Sequence, residues 1–209
     1  MNVQQLGLIL IKYFRKMGFL ILNGSFLISV NQVMAMQEPR DLYDFTHQET
    51  SGVWMIVNDG VMGGISESRL SLDQQGFLVF EGRVSLDYGG GFASVRSILN
   101  RLDAAPFDGI LIRFKGDGKR YQLRLRQGDR MDGVAYFRHF ETKIGEWEEV
   151  FLPFHSFQAS YRGRRLPDYP KLDTRRISQL GLMISDKQEG NFRLEVQRIA
   201  LYFKEHFQT

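Results

Sequence analysis

Apolar and polar residues alternate with period two along much of the chain, and this alternation most limits the folds open to it. Tyr121–Arg126 and Phe192–Ile199 alternate strictly, and the later positions of Phe77–Leu86 do the same. A period of two places one set of side chains in a core and the other in solvent, as in a half-buried strand. Five further runs are also predicted to be strands: Phe92–Ile98, Ile110–Phe114, Val134–Phe140, Trp147–Leu152 and Leu180–Ser185.

Short clusters of Gly, Asn and Asp separate these runs. They include Asn58-Asp59-Gly60, Gly89-Gly90-Gly91, Lys115-Gly116-Asp117-Gly118, Gln127-Gly128-Asp129 and Glu189-Gly190-Asn191. Such residues favour tight turns, because they tolerate positive φ or bond to their own backbone. Runs and turns together predict an all-β sandwich of about eight to ten short strands, with no long amphipathic helix.

Residues 1–35 differ in composition from the rest of the chain. A basic cluster at 12–16 precedes the apolar run Phe19–Val30, and small or branched residues lead to Ala35. This layout is typical of a secretory signal, and the apolar run is shorter than the roughly 20 residues that span a bilayer. We therefore expect a single domain over 36–209, exported or membrane-associated, with no transmembrane span in the mature chain. A start codon further along would make the protein cytoplasmic instead.

Charge and cysteine content exclude several classes of function. The chain has 27 Lys and Arg and 24 Asp and Glu. Three of the basic residues, Lys12, Arg15 and Lys16, belong to the first 35 residues, which contain no acid. The remaining 24 basic residues equal the 24 acidic ones, so the body of the chain is formally neutral. A neutral body lacks the net attraction that drives nucleic-acid binding, although a local basic patch near Arg162 and Arg164 stays open. The absence of cysteine excludes disulfides, thiolate metal sites and a cysteine nucleophile.

No motif for a catalytic, metal or cofactor site is recognisable. The four histidines have no metal-ligand spacing, and the glycine clusters match neither a phosphate loop nor a dinucleotide-binding fingerprint. Ser66 and Ser94 lack the context of a nucleophile elbow. We therefore predict a protein that is not an enzyme and needs no metal or cofactor, although two acids facing each other across a cleft would leave no sequence signature.

Several ordered motifs resemble the family of complex I intermediate-associated protein 30. They are Trp54 with Asn58–Ser68, Gly89–Arg96, Gly116–Tyr121, Leu152-Pro153-Phe154, Arg162-Gly163-Arg164 and Ser185–Phe192. The resemblance extends from about Leu42 to Phe203. It implies a galactose-binding-like jelly-roll sandwich and a role in assembling a membrane redox complex. That role would use contacts with protein subunits rather than catalysis.

An exported carbohydrate-binding module is the alternative function. The possible export signal, the predicted sandwich and the aromatic residues motivate it; Trp54, Trp147, Tyr88, Tyr121 and Tyr136 are candidates for a sugar-stacking platform. Packing in the core is the simpler interpretation of most of them. Tyr88, beside three glycines, is the best candidate for exposure.

Polar residues embedded in the turn motifs are the candidate site. They are Asp59, Arg96, Asp117, Tyr121, Arg162, Asp186 and Lys187. One interpretation is a polar cluster at one end of the sandwich that contacts a partner or ligand. The other is structural: the carboxylates accept turn amides, and Arg96 and Lys187 pair with them. If Arg96 points inward, it needs an acidic partner, because an unpaired buried charge is costly.

Overall fold

The computed structural model describes residues 38–46, 53–128 and 133–204, and these residues form thirteen strands joined by turns. The strands are β1 (Arg40–Asp44), β2 (Trp54–Ile56), β3 (Glu67–Leu72), β4 (Leu78–Val84), β5 (Ala93–Leu102), β6 (Gly109–Lys115), β7 (Arg120–Gln127), β8 (Ala135–Glu141), β9 (Trp147–Pro153), β10 (Gln158–Tyr161), β11 (Arg164–Arg165), β12 (Ile177–Ile184) and β13 (Gly190–Tyr202).

Eight of these strands coincide with the eight runs predicted from alternation. The number of strands exceeds the predicted eight to ten because β1, β2, β3, β10 and β11 contain only two to six residues each. A strand that short shows too few alternations to stand out in the sequence. Between the strands lie four short 3₁₀ turns: Asp59–Met62, Asp87–Gly89, Phe154–Ser156 and Thr174–Arg176.

The strands form two sheets. The six-stranded sheet has the order β3-β4-β13-β6-β9, with β1 also paired to β13, and the seven-stranded sheet has the order β11-β10-β8-β7-β12-β5-β2. All pairings between these strands are antiparallel. Strands distant in sequence, such as β4 and β13 or β5 and β12, are direct neighbours. The predicted all-β jelly-roll sandwich is thereby confirmed.

The core lies between the facing sides of the two sheets. On β7 and β12 every second side chain points inward, and the same holds on β6 and along most of β13. The largest fully buried side chains include Tyr121, Tyr136, Phe80, Phe114, Ile110, Ile112, Leu123, Leu125, Leu180 and Leu182. Removing this apolar surface from water drives the two sheets together.

The signal-like segment 1–35 lies outside the described residues, so its removal and the domain boundary at 36 stay predictions. Over the three described ranges, no helix has the length and apolar character needed to cross a membrane.

Candidate functional site

The outer face of the seven-stranded sheet carries several arginines on neighbouring strands. The inward residues of β5 and β7 are mainly apolar, and the alternate positions include Arg96 on β5 and Arg124 and Arg126 on β7. Strand β12 lies between them, and Gly181 is in register with both Arg96 and Arg124. A Cβ at position 181 would lie 2.7 Å from the carbonyl oxygen of Val95 and 3.4 Å from Cγ of Arg96. Glycine at this position therefore allows β5 to approach β12, and the surface over these three strands forms a floor.

Arg124 lies in the middle of this floor. Its Nη1 donates to Oε1 of Gln122 at 2.7 Å, and its Nη2 lies 3.4 Å from Oγ of Ser160, so both hydrogen-bond partners are neutral. Burial, together with the positive charges of Arg126 and Arg96, lowers the pKa of Arg124 to about 10. Asp186 acts in the opposite direction, and the side chain remains a cation at neutral pH.

An exposed apolar turn forms one rim of this face. The 3₁₀ turn Asp59–Met62 presents Val61 and Met62 to solvent, with 74% and 60% of their surface exposed. In the adjoining turn Asp87–Gly89, Tyr88 is 78% exposed, as the sequence predicted. Grouped exposed apolar side chains are characteristic of interaction surfaces.

Asp59 fixes this rim from inside. Its carboxylate has no exposed surface and accepts hydrogen bonds from Ser66 N (2.9 Å), Ser66 Oγ (2.5 Å), Gly91 N (2.7 Å) and Phe92 N (3.2 Å). Burial by itself raises the pKa of Asp59, but these hydrogen bonds outweigh it and hold the pKa below its ordinary value. The ionised carboxylate therefore joins the two turns to each other.

The turn between β10 and β11 supplies the opposite rim. Arg162 and Gly163 both have positive φ, 46° and 77°, which produces the tight reversal of this hairpin. Arg162 is exposed, and its guanidinium lies 5.4 Å from the ring centre of Tyr161. A fourth arginine is thus placed at the edge of the same face.

Floor and rims enclose a cavity of about 560 Å³, which we call the arginine trough. Its lining consists of Val57, Val61, Met62, Gly89, Phe92, Ser94, Arg96, Arg124, Arg126, Gly133, Ser160, Arg162, Gly163 and Met183. Four of these residues are arginines and none is Asp or Glu. Among the residues that the structure describes, the lining therefore carries charge of one sign only.

The chemistry of the trough suits binding rather than catalysis. Its described lining contains no His, Asp, Glu, Lys or Tyr that would transfer a proton near neutral pH. Elsewhere in the described ranges, no three His, Asp or Glu side chains come close enough to hold a metal ion. The groups present are cations, two hydroxyls and apolar side chains.

A second depression, of about 610 Å³, lies on the six-stranded sheet. Its lining contains three arginines and three acids, and two of the arginines form ion pairs: Arg69 Nε lies 2.6 Å from Glu81, and Arg193 bonds both Glu81 (2.5 Å) and Glu195 (2.9 Å). Surface ion pairs of this kind contribute little on their own and need no ligand. Although this depression is slightly larger, we take the arginine trough as the candidate site because it combines exposed apolar side chains with Arg96 and Arg162, two of the residues predicted from the sequence.

The residues predicted as a polar cluster are divided among several places. Arg96 and Arg162 both line the trough, and Asp59 lies buried beneath its apolar rim. The structure thus brings two of the predicted residues to one surface and gives a third a supporting position.

Asp117 and Tyr121 belong to a separate network at the second depression, whose lining includes the half-buried Asp117. The buried Tyr121 donates its hydroxyl to Oδ1 of Asp117 at 3.0 Å, and Asp117 also accepts the backbone amides of Lys119 (3.1 Å) and Arg193 (2.9 Å). Burial and the Asp117 carboxylate raise the pKa of Tyr121. Asp117 therefore connects the turn that precedes β7 to the backbone of β13.

Asp186 and Lys187 form the turn after β12, where both have positive φ, 63° and 58°. Oδ2 of Asp186 lies 2.9 Å from Nε2 of His139 and 3.1 Å from Nη2 of Arg120, and Lys187 is exposed. Neither residue belongs to the lining of the trough.

Arg124, Arg126, Val61 and Met62 were missed by sequence reasoning. The strict alternation in Tyr121–Arg126 does place both arginines on the face opposite the core. The alternation does not indicate which other strands lie beside β7. It therefore could not predict that these two arginines lie close to Arg96 and Arg162.

The five aromatic residues considered for sugar stacking do not share one surface. Tyr121 and Tyr136 are in the core, Trp54 packs against Tyr43, and Trp147 is on β9 of the other sheet. Only Tyr88 of the five is largely exposed.

Comparison with known proteins identifies relatives. The model of the family described as complex I intermediate-associated protein 30 matches residues 43–196. The protein named complex I intermediate-associated protein 30, mitochondrial, from Mus musculus is 25% identical over 197 residues, which cover 82% of this chain and 58% of the relative. A probable counterpart from Caenorhabditis elegans is 29% identical over 185 residues, covering 79% and 54%. The chain thus spans little more than half the length of these relatives.

Solved structures with a similar fold are carbohydrate-binding modules. A family 11 module from Clostridium thermocellum, in complex with a mixed-linked tetrasaccharide, has a TM-score of 0.61 and 18% identity, with 79% of this chain and 95% of the module covered. Another structure of a family 11 module from the same organism gives a TM-score of 0.62 at 18% identity, covering 80% and 95%. At this identity the likeness concerns the fold alone.

Proposed function

The chain belongs to the complex I intermediate-associated protein 30 family, and from this membership we propose that it is a binding factor for assembly of a membrane redox complex. The proposal rests on the family match over residues 43–196, which includes both rims and the floor of the arginine trough. In this function the protein contacts subunits of the complex and catalyses no reaction.

The arginine trough is the surface we assign to those contacts. Arginine, methionine and aromatic side chains are enriched in protein interfaces, and the trough presents Arg162, Met62 and the neighbouring Tyr88 at its edges. The apolar turn supplies surface to bury, and the arginines supply orientation. A shallow, open surface of this composition fits a protein partner.

A membrane is the proposed site of action. The relatives from mouse, Caenorhabditis elegans and Drosophila melanogaster are named as mitochondrial, which favours an organellar membrane over export. The signal-like composition of residues 1–35 is compatible with targeting in general.

Carbohydrate binding, the alternative from the sequence, has the fold likeness in its favour, and one of its five candidate rings, Tyr88, is largely exposed. Sugar-binding faces use exposed aromatic rings, whereas Tyr121 and Tyr136 are buried and Trp147 lies on the opposite sheet.

Purification of the natively expressed protein from membranes, followed by mass spectrometry of its partners, tests the proposal. We expect subunits of a redox complex to co-purify with the wild type. Replacing Val61 and Met62 together by Ser should reduce their yield, because this change removes apolar contact surface. Ile144→Ser is the matched control, since Ile144 is 81% exposed and is not part of the trough lining.

Stability should not change in the rim variant, because exposed side chains contribute within about 0.5 kcal/mol. Recovery of no redox subunits with the wild type, together with retention on polysaccharide resin, would contradict the proposed function and favour the carbohydrate alternative.

A further inference from the structure

We infer that the two turns beside the arginine trough insert into the surface of a lipid bilayer that contains anionic lipid. Their exposed apolar side chains, which we call the apolar tip, are Val61, Met62, Ile65, Leu86 and Tyr88. Val61 and Met62 also line the trough, whereas the other three do not, so the tip extends beyond the surface assigned to protein subunits. Contact with lipid therefore goes beyond the proposed function.

The tip is one preformed unit. The Ser85 amide donates to Ser66 Oγ at 3.0 Å, so Ile65 and Leu86, which adjoin these serines in the chain, lie on segments that are bonded to each other. The Asp59 carboxylate joins the same segments by accepting the amides of Ser66 and Gly91. A surface that is already ordered loses little conformational entropy when it docks.

The tip also projects from the sandwich. In the described structure, a Cβ on Gly60 or on Gly89 would have no atom within 4 Å, so both turns border open space. Ile65 is 52% exposed and Tyr88 78%. Grouped apolar exposure of this kind marks contact with a protein or a membrane. A projecting surface favours the membrane, because lipid adapts to what enters it, and the amphipathic tyrosine ring is enriched at bilayer interfaces.

Charge beside the tip is complementary to anionic lipid. The hairpin turn of residues 161–165 contains three exposed arginines, Arg162, Arg164 and Arg165, and no acid. Arg162 lines the same cavity as Val61 and Met62, which places this turn next to the tip. Within segments 58–65 and 85–91, Asp87 is the exposed charged residue. The local charge is therefore positive, and basic residues beside an inserted apolar surface attract anionic headgroups.

A fluorescent label at the tip tests the inference in the full chain. The chain has no cysteine, so Ile65→Cys provides a unique labelling position. An environment-sensitive label there should shift to shorter wavelength and brighten at least about twofold when vesicles of phosphatidylcholine mixed with phosphatidylglycerol are added. The readout is local, which is necessary because residues 1–35 contain an apolar run and a basic cluster of their own.

Leu72→Cys is the matched control for the label. Leu72 is 47% exposed and lies at the far end of β3, roughly 20 Å from Ile65. We expect no response of a label at position 72. An equal response at both positions, or none at position 65, would overturn the inference.

Variants separate the apolar contribution from the charge. Leu86→Ser combined with Tyr88→Asn should lower the affinity for the mixed vesicles by about tenfold, because apolar contact is lost. Asparagine tolerates the positive φ of 54° at position 88. Leu72→Ser is the control, and thermal melts establish that each variant is folded.

Arg162→Glu should weaken binding to the mixed vesicles by about threefold or more and leave binding to phosphatidylcholine alone unchanged. Arg83→Glu is its control, because Arg83 is exposed on β4 of the other sheet. Affinity that is unchanged in both the apolar and the charge variant would contradict the assignment.

The vesicles contain no protein, so this test is independent of the proposed function. If redox subunits co-purify with the wild type and purified subunits, but not vesicles, change the label at position 65, the tip contacts protein. The inference then fails and the proposed function stands. A response to vesicles without any co-purifying redox subunit would support contact with lipid and contradict the proposed function.

Discussion

At the residue scale, Asp59 and Arg124 show two opposite ways of placing a charge in this sandwich. The Asp59 carboxylate accepts four hydrogen bonds, and its ionised form is therefore stabilised. Burial, with a smaller effect from Arg126 and Arg96, lowers the pKa of Arg124 to about 10, although Asp186 acts in the opposite direction. The hydrogen bonds to Asp59 stabilise the folded chain, whereas burial of Arg124 disfavours its charged form.

Asp59→Asn should destabilise the protein by about 2–4 kcal/mol. Whichever oxygen the amide nitrogen replaces, it would face a donor, either Ser66 N or the amides of Gly91 and Phe92. Urea unfolding at neutral pH measures the loss. Asp103→Asn is the control, because Asp103 is exposed and accepts a hydrogen bond from the nearby Ala105 amide.

The lowered pKa of Asp59 also predicts an acid dependence. A carboxyl whose folded pKa is depressed adds stability above its unfolded pKa, near 4, and that contribution is lost as pH falls through the folded value. The difference in stability between wild type and Asp59→Asn should therefore shrink below about pH 4. A difference that stays constant to lower pH would show that ionisation of Asp59 is not its source.

Asp117→Asn should affect stability and leave binding unchanged. The Asp117 carboxylate accepts bonds from the Tyr121 hydroxyl and from the backbone amides of Lys119 and Arg193, so an amide at this position loses at least one acceptor. We expect a loss of about 1–3 kcal/mol. The yield of co-purifying redox subunits should match the wild type. Normal stability with lost binding would instead make Asp117 a contact residue.

At the scale of elements, the two turns at the apolar rim depend on a close backbone approach. A Cβ on Gly64 would lie 2.4 Å from Cγ of Asp59 and 2.8 Å from Cα of Gly90. The turns can therefore meet around the Asp59 carboxylate only if position 64 has no side chain.

Gly64→Ala should consequently cost about 1–3 kcal/mol, the usual range for overpacking, and should move Val61 and Met62. Gly60→Ala in the same segment is the matched control, because a Cβ there has nothing within 4 Å. Differential scanning calorimetry of both variants provides the comparison. Equal melting temperatures would show that the turns separate without cost.

At the scale of the whole molecule, net charge conceals how charge is distributed. Four arginines line the trough on one outer face, whereas Arg69, Arg193 and Lys115 on the other sheet pair with Glu81 or Glu195. The neutral body counted from the sequence therefore argues against general nucleic-acid binding, but it leaves room for a local anion-binding surface.

A chain starting at Met36 should fold alone and without metal. The core lies within the sandwich, so we expect one cooperative thermal transition that is unchanged by a chelator. Sequencing of the native protein should find its N-terminus near Met36. An intact Met1 in the native protein would refute removal of the signal-like segment, and a melting temperature lowered by chelator would reveal a metal site.

The sequence by itself determined the class of fold and the family. Alternation and turn residues can be recognised within a stretch of about ten residues, so eight strands and the sandwich could be predicted from local sequence. The family followed from ordered motifs, one of which, Asn58–Ser68, includes the residues that now form the apolar rim. Asp59 was recognised as important for the same reason: it is embedded in a turn.

Only the tertiary structure decided which of these residues meet. Alternation places Arg124 away from the core and left the direction of Arg96 open. Sheet order places β5 and β7 on either side of β12, a strand more than 50 positions further along the chain than β7, and so brings both arginines to one face. Strand pairing over such separations depends on how the whole apolar surface is buried, which no short window contains. The arginine trough exists because those pairings bring three distant strands and a hairpin turn to one face.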